Sequence, residues 1–147
     1  MIETINSDMI TAMKSQDKET LMVVRMLKGA IQLEEINRRI KLTDDDIIGV
    51  ITKQIKLRKE SIIEFQKGNR IDLVDQATKE IEILTKYMPE QMNDTELESL
   101  IDDIMMKVDA HLTSNIGKIM KELIPLIKGK ADMNKVNTII KSKLNNL

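Results

Sequence analysis

Residues 17–39 read DKETLMVVRMLKGAIQLEEINRR, and this stretch predicts the long helix around which the fold is built. Its apolar side chains recur three and four residues apart, which is the spacing of one broad helix face. Asp17 suits the N-cap position, where a carboxylate accepts a hydrogen bond from an unpaired backbone amide. Because the apolar face is broad, we expect this helix to lie at the centre of a core. The face carries Val23, Val24, Met26, Leu27, Ala30, Ile31 and Leu33.

The same helical spacing continues before and after this stretch, and only five glycines and two prolines interrupt the chain. No segment shows the strict apolar and polar alternation that predicts a strand. We therefore predict an all-α fold. The other predicted helices run from Ile2 to about Ser15, from the Thr43 cap to Gly68, from the Asp72 cap to Pro89, and over 94–109, 115–127 and 133–144.

The segment around Pro89 is the expected boundary between two helical subdomains. Proline ends the preceding helix, and a new helix start follows at once, with Asn93 as N-cap and Glu96 at the capping-box spacing. We predict an N-terminal four-helix subdomain over 1–89 and a C-terminal three-helix bundle over 93–147.

The residue types that catalysis and metal binding require are scarce in this chain. It has no cysteine and one histidine, His111, which we expect in an exposed loop. Asp44, Asp45 and Asp46 are consecutive on one helix, where side chains diverge, so they complement the helix dipole rather than chelate an ion. No phosphate-binding loop, catalytic triad or paired-carboxylate motif is present. We predict a non-catalytic protein without a metal or cofactor.

Composition also bears on location and on binding modes. The lack of cysteine argues against a disulfide-stapled secreted protein, and the N-terminus lacks the basic and apolar regions of an export signal. No stretch approaches the roughly 18 apolar residues of a spanning helix. We therefore expect a cytoplasmic protein with no membrane partner. Tyr87 and Phe65 are the only aromatic residues, which disfavours nucleic-acid binding by base stacking.

Two charged residues, Arg58 and Glu80, fall on the apolar faces of neighbouring predicted helices. Arg58 lies between Ile55 and Ile62 in the helical spacing, and Glu80 lies at matching height if the two helices form an antiparallel hairpin. We predict a sheltered ion pair between them. No nucleophile or second base accompanies the pair, so a structural role in setting the register outweighs a catalytic role.

Lysines gather on one face of the sixth predicted helix. Lys118, Lys121 and Lys128 recur at i, i+3 and i+10 and share this face with Pro125. The candidate phosphate-binding residues are Lys118, Lys121, Lys128, Lys130 and Lys135. The alternative is a solvated lysine face that the acidic helix over 94–109 neutralises, because residues 72–109 carry a net charge of −8 and residues 118–143 one of +5.

A second basic stretch lies on the third predicted helix. It contains Lys53, Lys56, Lys59 and Lys67. These lysines are equally compatible with surface pairing to Glu60 and Glu64 along the same helix.

Several short strings in this chain resemble the GatB/YqeY family, stand-alone relatives of the C-terminal tail of the amidotransferase B subunit. The strings are Leu57-Arg-Lys-Glu-Ser-Ile, Gly68-Asn-Arg-Ile-Asp-Leu, Glu80 through Tyr87-Met-Pro-Glu-Gln, Ile116-Gly-Lys-Ile-Met and Lys128-Gly-Lys-Ala-Asp-Met-Asn-Lys-Val. The resemblance covers the full length and implies two helical subdomains. It also implies a role in recognising the body of a tRNA, without the active sites of the amidotransferase, which lie elsewhere in that complex. The family's Gly-Arg-Ala-Asp-Gly element is here Gly129-Lys-Ala-Asp-Met, so a lysine replaces an arginine that could bind phosphate with two parallel hydrogen bonds.

Three functional hypotheses follow. The first is a tRNA-binding accessory protein that contacts backbone and shape through the lysines rather than reading base sequence. The second is a protein-interaction accessory that docks on a larger complex. The third, implied by the resemblance alone, is a component of a tRNA-dependent amidotransferase, a carbon-nitrogen ligase with glutamine as amido donor. The sequence leaves the oligomeric state open.

Overall fold

The computed structural model describes residues 1–108 and 116–146, and in these ranges the chain is helical with no strand. The helices are α1 (Ile2–Ser15), α2 (Lys18–Arg38), α3 (Asp44–Lys67), α4 (Ile71–Thr85), α5 (Asp94–Lys107), α6 (Ile116–Ile127) and α7 (Met133–Asn145). The all-α prediction is confirmed. His111 and the predicted helix start at residue 115 lie outside the described residues.

Local capping chemistry determines where three helices begin, as predicted. The Asp17 carboxylate accepts a hydrogen bond from the Thr20 backbone N–H at 3.1 Å. Thr43 and Asp46 form a reciprocal capping box at the start of α3, and Asn93 and Glu96 form another at the start of α5.

One prediction at the turn between α3 and α4 is wrong, whereas α3 ends at Gly68 as predicted. Asp72 is not the N-cap of α4, because that helix begins at Ile71 and its cap, Arg70, has no capping side-chain bond. The Asp72 carboxylate instead accepts hydrogen bonds from the Arg70 guanidinium at 3.0 and 3.1 Å, which lower the pKa of Asp72. The turn that follows α3 places Asn69 in the left-handed conformation, with φ 55°, which asparagine tolerates better than most residues.

The contacts divide the chain into two compact units, Met1–Met88 and Pro89–Leu147. This division is consistent with the boundary expected at Pro89. The core of the first unit is formed by Ile5 of α1, Val23, Val24, Leu27 and Ile31 of α2, Ile47 and Ile51 of α3, and Leu84 of α4. The core of the second unit comes from Leu97, Ile101, Ile104 and Met105 of α5, Ile119, Leu123 and Ile127 of α6, and Val136, Ile140 and Leu144 of α7.

Only some of the apolar residues predicted to be buried on α2 contribute to the core of the first unit. Met26 and Leu33 are 49% and 59% exposed, whereas Val24 and Leu27 are at most 1% exposed. The apolar residues predicted to form one broad face therefore lie on two sides of α2. Other helices pack against only one of these sides. Tyr87, near the C-terminal end of the first unit, links this end to α1, because its hydroxyl donates a hydrogen bond to the Asp8 carboxylate at 2.5 Å. Burial, and then this hydrogen bond, raise the pKa of Tyr87.

Gly49 lies on the exposed side of α3, where a Cβ atom would meet nothing within 4 Å. We expect Gly49→Ala to raise the free energy of unfolding by about 0.5–1 kcal/mol, because alanine loses less backbone entropy on entering a helix. Urea denaturation followed by circular dichroism measures this gain. Gly129→Ala is the comparison with the opposite sign, since Gly129 has φ 74° and any Cβ there is strained. A loss of stability in Gly49→Ala contradicts the prediction.

Candidate nucleic-acid interface

The helix α6 is anchored by one face and presents lysines on the other. Ile119, Leu123 and Ile127, spaced four residues apart, are fully buried. At 100° per residue, Lys118, Lys121, Pro125 and Lys128 project on the opposite side of the helix, and all four are exposed. Lys118 and Lys128 lie about 15 Å apart along the axis at 1.5 Å per residue. We call Lys118, Lys121 and Lys128 the α6 lysine face.

Three carboxylates of α5 and α6 pair with lysines outside the α6 lysine face. Glu122, the one acidic residue of α6, forms an ion pair with Lys107 of α5 at 3.2 Å. Asp102 of α5 pairs with Lys143 of α7 at 2.7 Å. Within residues 1–108 and 116–146, no carboxylate lies within 4 Å of the α6 lysine ammonium groups. Among the described residues, the carboxylates of α5 that form ion pairs with another helix, Asp94 and Asp102, pair with Lys135 and Lys143 of α7.

Lys135 differs from the other candidate lysines. It lies in the first turn of α7, and its ammonium group forms an ion pair with Asp94 at the start of α5. Its positive charge is therefore compensated within the fold. Both side chains of this pair are exposed, so Lys135 stays a predicted phosphate-binding residue.

The turn that carries Lys128 and Lys130 is held in place by residues 89–93. Gln91 donates from Nε2 to the carbonyl oxygen of Gly129 at 2.6 Å. The Met92 backbone N–H donates to the carbonyl oxygen of Lys130 at 2.9 Å. These bonds span the left-handed Gly129 and fix how the turn leaves α6. The sequence analysis did not predict a role for Gln91. The signal that could have indicated one is that Gln91 is the last residue of a string that resembles the family.

Arg58 and Glu80 meet between α3 and α4. Arg58 Nε donates to Glu80 Oε2 at 2.8 Å, and the two side chains are 10% and 16% exposed. Nη1 of Arg58 donates to the carbonyl oxygen and to Oε1 of Gln54, at 3.1 and 2.9 Å. The arginine is thus satisfied on two sides by residues of the fold, an arrangement that positions the hairpin and leaves Nη2 as its remaining donor group.

A cavity of about 240 Å³ lies in the first unit between α2 and α4. Its lining includes Glu19, Asp72, Asp75 and Glu80 against a single lysine, Lys79. This charge repels phosphate, so the cavity does not extend the candidate interface. Across the ranges that the structure describes, no three His, Cys, Asp or Glu side chains are placed to hold a metal ion.

No helix in those ranges has the length and apolar character that crossing a bilayer requires.

Comparison with known proteins identifies fungal relatives. The protein named altered inheritance of mitochondria protein 41, mitochondrial, is 30% identical over 138 residues in Saccharomyces cerevisiae, which is 93% of this chain and 73% of that protein. The protein of the same name in Pyrenophora tritici-repentis is 26% identical over 89% of this chain and 73% of its own length. An uncharacterized protein of Schizosaccharomyces pombe is 29% identical over 58% of this chain and 70% of its own.

These relatives contradict the predicted cytoplasmic location, because two of them are named as mitochondrial proteins. The prediction rested on the absence of cysteine, of export-signal features and of a spanning segment, which argue against secretion and membrane insertion but do not distinguish one internal compartment from another. The cytoplasmic prediction is therefore withdrawn, since the named relatives are mitochondrial.

A family model described as Yqey-like protein matches residues 2–144, nearly the whole chain. The match spans both compact units and all the strings that indicated the resemblance. This family is related to the C-terminal tail domain of the GatB subunit. The chain belongs to the YqeY family.

Proposed function

We propose that the chain is a non-catalytic RNA-binding accessory protein, with tRNA as its expected ligand. The observation that supports this most directly is the α6 lysine face, which lies opposite the buried face of the helix. Three exposed lysines, two on α6 and one in the first position after it, form a surface that attracts a phosphate backbone. The family's relation to the tRNA-recognising tail of the amidotransferase supports tRNA in particular.

Binding of this kind reads backbone and shape rather than base sequence. Lysine offers a point charge to phosphate, and the chain's two aromatic residues are too few to form a stacking platform. The turn that Gln91 and Met92 hold would add Lys130 beside the end of α6. The expected signature is therefore steep salt dependence with little sequence preference.

The test is tRNA binding by the full chain at about 50 and 200 mM salt, measured by fluorescence polarisation. We expect Lys118→Gln, Lys121→Gln and Lys128→Gln together to weaken binding at least about tenfold at the lower salt and to reduce the slope of log affinity against log salt by about two to three. The matched control is Lys53→Gln, Lys56→Gln and Lys59→Gln, which removes the same charge from exposed positions of α3.

Two results would overturn the proposal. One is an absence of tRNA binding at low salt, and the other is an equal loss of affinity in the α3 control. A stoichiometric protein partner that survives nuclease treatment in a pull-down, together with no tRNA binding, would instead identify a docking accessory of a larger complex. No catalytic step is assigned to this chain under either function, and an amidotransferase role would have to come from other subunits.

A further inference from the structure

Lys130 lies in the turn after α6, yet the backbone on both sides of it is held by hydrogen bonds. The peptide group before it is bonded at both ends. Its carbonyl oxygen, that of Gly129, accepts from Gln91 Nε2 at 2.6 Å, and its N–H donates to the Ile127 carbonyl oxygen at 2.7 Å. The carbonyl oxygen of Lys130 accepts from the Met92 N–H at 2.9 Å. Because peptide groups are planar, these bonds fix the direction in which the Lys130 side chain leaves the backbone.

The residue before Lys130 makes these bonds necessary. Gly129 is in the left-handed region, with φ 74°. Glycine has no Cβ and adopts many backbone conformations at little cost, so the local sequence alone does not set the path of the chain after it. Met92 and Ala131 pack, partly buried, against the core of the second unit. The turn and the segment bonded to it are therefore both anchored on the same core.

Gln91 contributes the one side chain among these three donors. Its amide nitrogen also donates to the Pro89 carbonyl oxygen at 3.0 Å, so both hydrogens of the amide have acceptors. The side chain thereby joins the carbonyl group of Pro89 to that of Gly129. A glutamate or a methionine has nearly the same length but no donor, so neither could form this link.

The charges of the turn suit a phosphate ligand. Lys128 and Lys130 flank Gly129, and lysine offers phosphate a compact positive charge. Asp132, the acidic residue that follows, accepts a hydrogen bond from the Asn134 N–H at 2.9 Å and caps α7. Its negative charge is there compensated by the helix dipole.

We infer that Gln91 is a positioning residue for a phosphate subsite formed by Lys128 and Lys130. Gln91 acts through the Gly129 carbonyl group and touches no ligand. Without its amide, Lys130 keeps its charge but loses its fixed direction, and it then contributes less to binding of an RNA backbone. This role rests on the proposed function, because the ligand that carries the phosphate is tRNA.

Gln91→Met tests the inference without changing the charge of the chain. Binding of total tRNA to the full chain is measured by fluorescence polarisation between about 50 and 200 mM salt. One phosphate contact contributes about 0.9 to the slope of log affinity against log salt, which is about three- to fourfold in affinity over this range. We expect Lys130→Gln to lower the slope by about 0.9 and Gln91→Met by about 0.5–0.9. Gln66→Met, the same change at an exposed position of α3, is the control and should leave the slope unchanged.

Double variants separate positioning from a general loss of stability. Gln91→Met should have almost no further effect in the Lys130→Gln variant, because both remove the same contact. Its effect should add fully to that of Lys118→Gln, about ten residues away at the other end of α6. Full additivity in both pairs would overturn the inference, as would an unchanged slope in Gln91→Met.

Hydrogen exchange tests the role of Gln91 in the absence of RNA. Gln91→Met should speed exchange of the Lys130 and Met92 amides by about two- to tenfold, the effect of losing one hydrogen bond that supports theirs. The buried amides of Ile101 and Ile104 in α5 should keep their protection, since Gln91 is exposed. Unchanged exchange in a chain that binds tRNA overturns the role of Gln91 alone. A wild-type chain that binds no tRNA refutes the proposed function and the subsite together.

Discussion

Arg58→Ala should lower the free energy of unfolding by about 3–5 kcal/mol, the range for removing one partner of a buried ion pair. The substitution leaves the Glu80 carboxylate, 16% exposed, without the donor 2.8 Å away. It also removes the donor to the backbone carbonyl and side-chain oxygen of Gln54. Urea denaturation measured by circular dichroism gives the change, and the m-value shows whether the unfolding reaction stays the same.

Two controls separate the loss of a partner from the loss of a charge. Lys67→Ala breaks the ion pair between Lys67 and Glu64, whose side chains are 70% and 72% exposed, respectively. It should change the free energy of unfolding by no more than about 0.5 kcal/mol. Arg58→Met with Glu80→Leu replaces the sheltered pair by apolar side chains and should recover most of the loss. An unchanged melting temperature in Arg58→Ala would show that the pair contributes nothing.

The helices were predictable where their signals are local. Asp17, Thr43 and Asn93 cap their helices because the acceptor and the amide it satisfies lie within three residues of each other. Asp72 misled the prediction because Arg70, two residues earlier, competes for the same carboxylate. A capping pattern does not show which of two nearby donors the side chain will take.

The burial of α2 could be predicted only in part. Its sequence has apolar residues around much of the helix, and periodicity alone does not tell which side the other helices will cover. Val24 and Leu27 are buried because α1, α3 and α4 pack on their side. Met26 and Leu33 are equally apolar but have no such neighbours, so their exposure is a property of the tertiary structure.

Some features of the candidate interface could likewise be predicted from local sequence patterns, whereas others depend on contacts between residues far apart in the chain. The α6 lysine face follows from the helical period, and the ion pair of Arg58 with Glu80 follows from the expected hairpin. The bond from Gln91 to the Gly129 carbonyl joins residues 38 positions apart, and no local pattern encodes it. The pairing of Lys135 with Asp94 is likewise a consequence of how α5 and α7 pack.

Leu123→Ala should lower the stability of the second unit by about 2–5 kcal/mol, because Leu123 is fully buried among α5, α6 and α7 and its truncation leaves a cavity. A unit of about sixty residues is stable by only about 3–9 kcal/mol, so this loss is a large fraction of the total. Amide hydrogen exchange within α5, α6 and α7 measures it. The control is Leu126→Ala, three residues along the same helix at a 49% exposed position, which should cost no more than about 1 kcal/mol.

The same variant tests whether the lysines act as a rigid set. Leu123→Ala removes no charge, so any tRNA binding that depends only on net charge would persist. If the α6 lysine face binds phosphate through a fixed spacing, tRNA affinity should fall with the fraction of molecules in which the α6 amides have lost protection from hydrogen exchange. In these molecules α6 is unfolded and no longer holds Lys118, Lys121 and Lys128 on one side. Full affinity in a variant whose α6 amides exchange freely would show that the helix is not the interface.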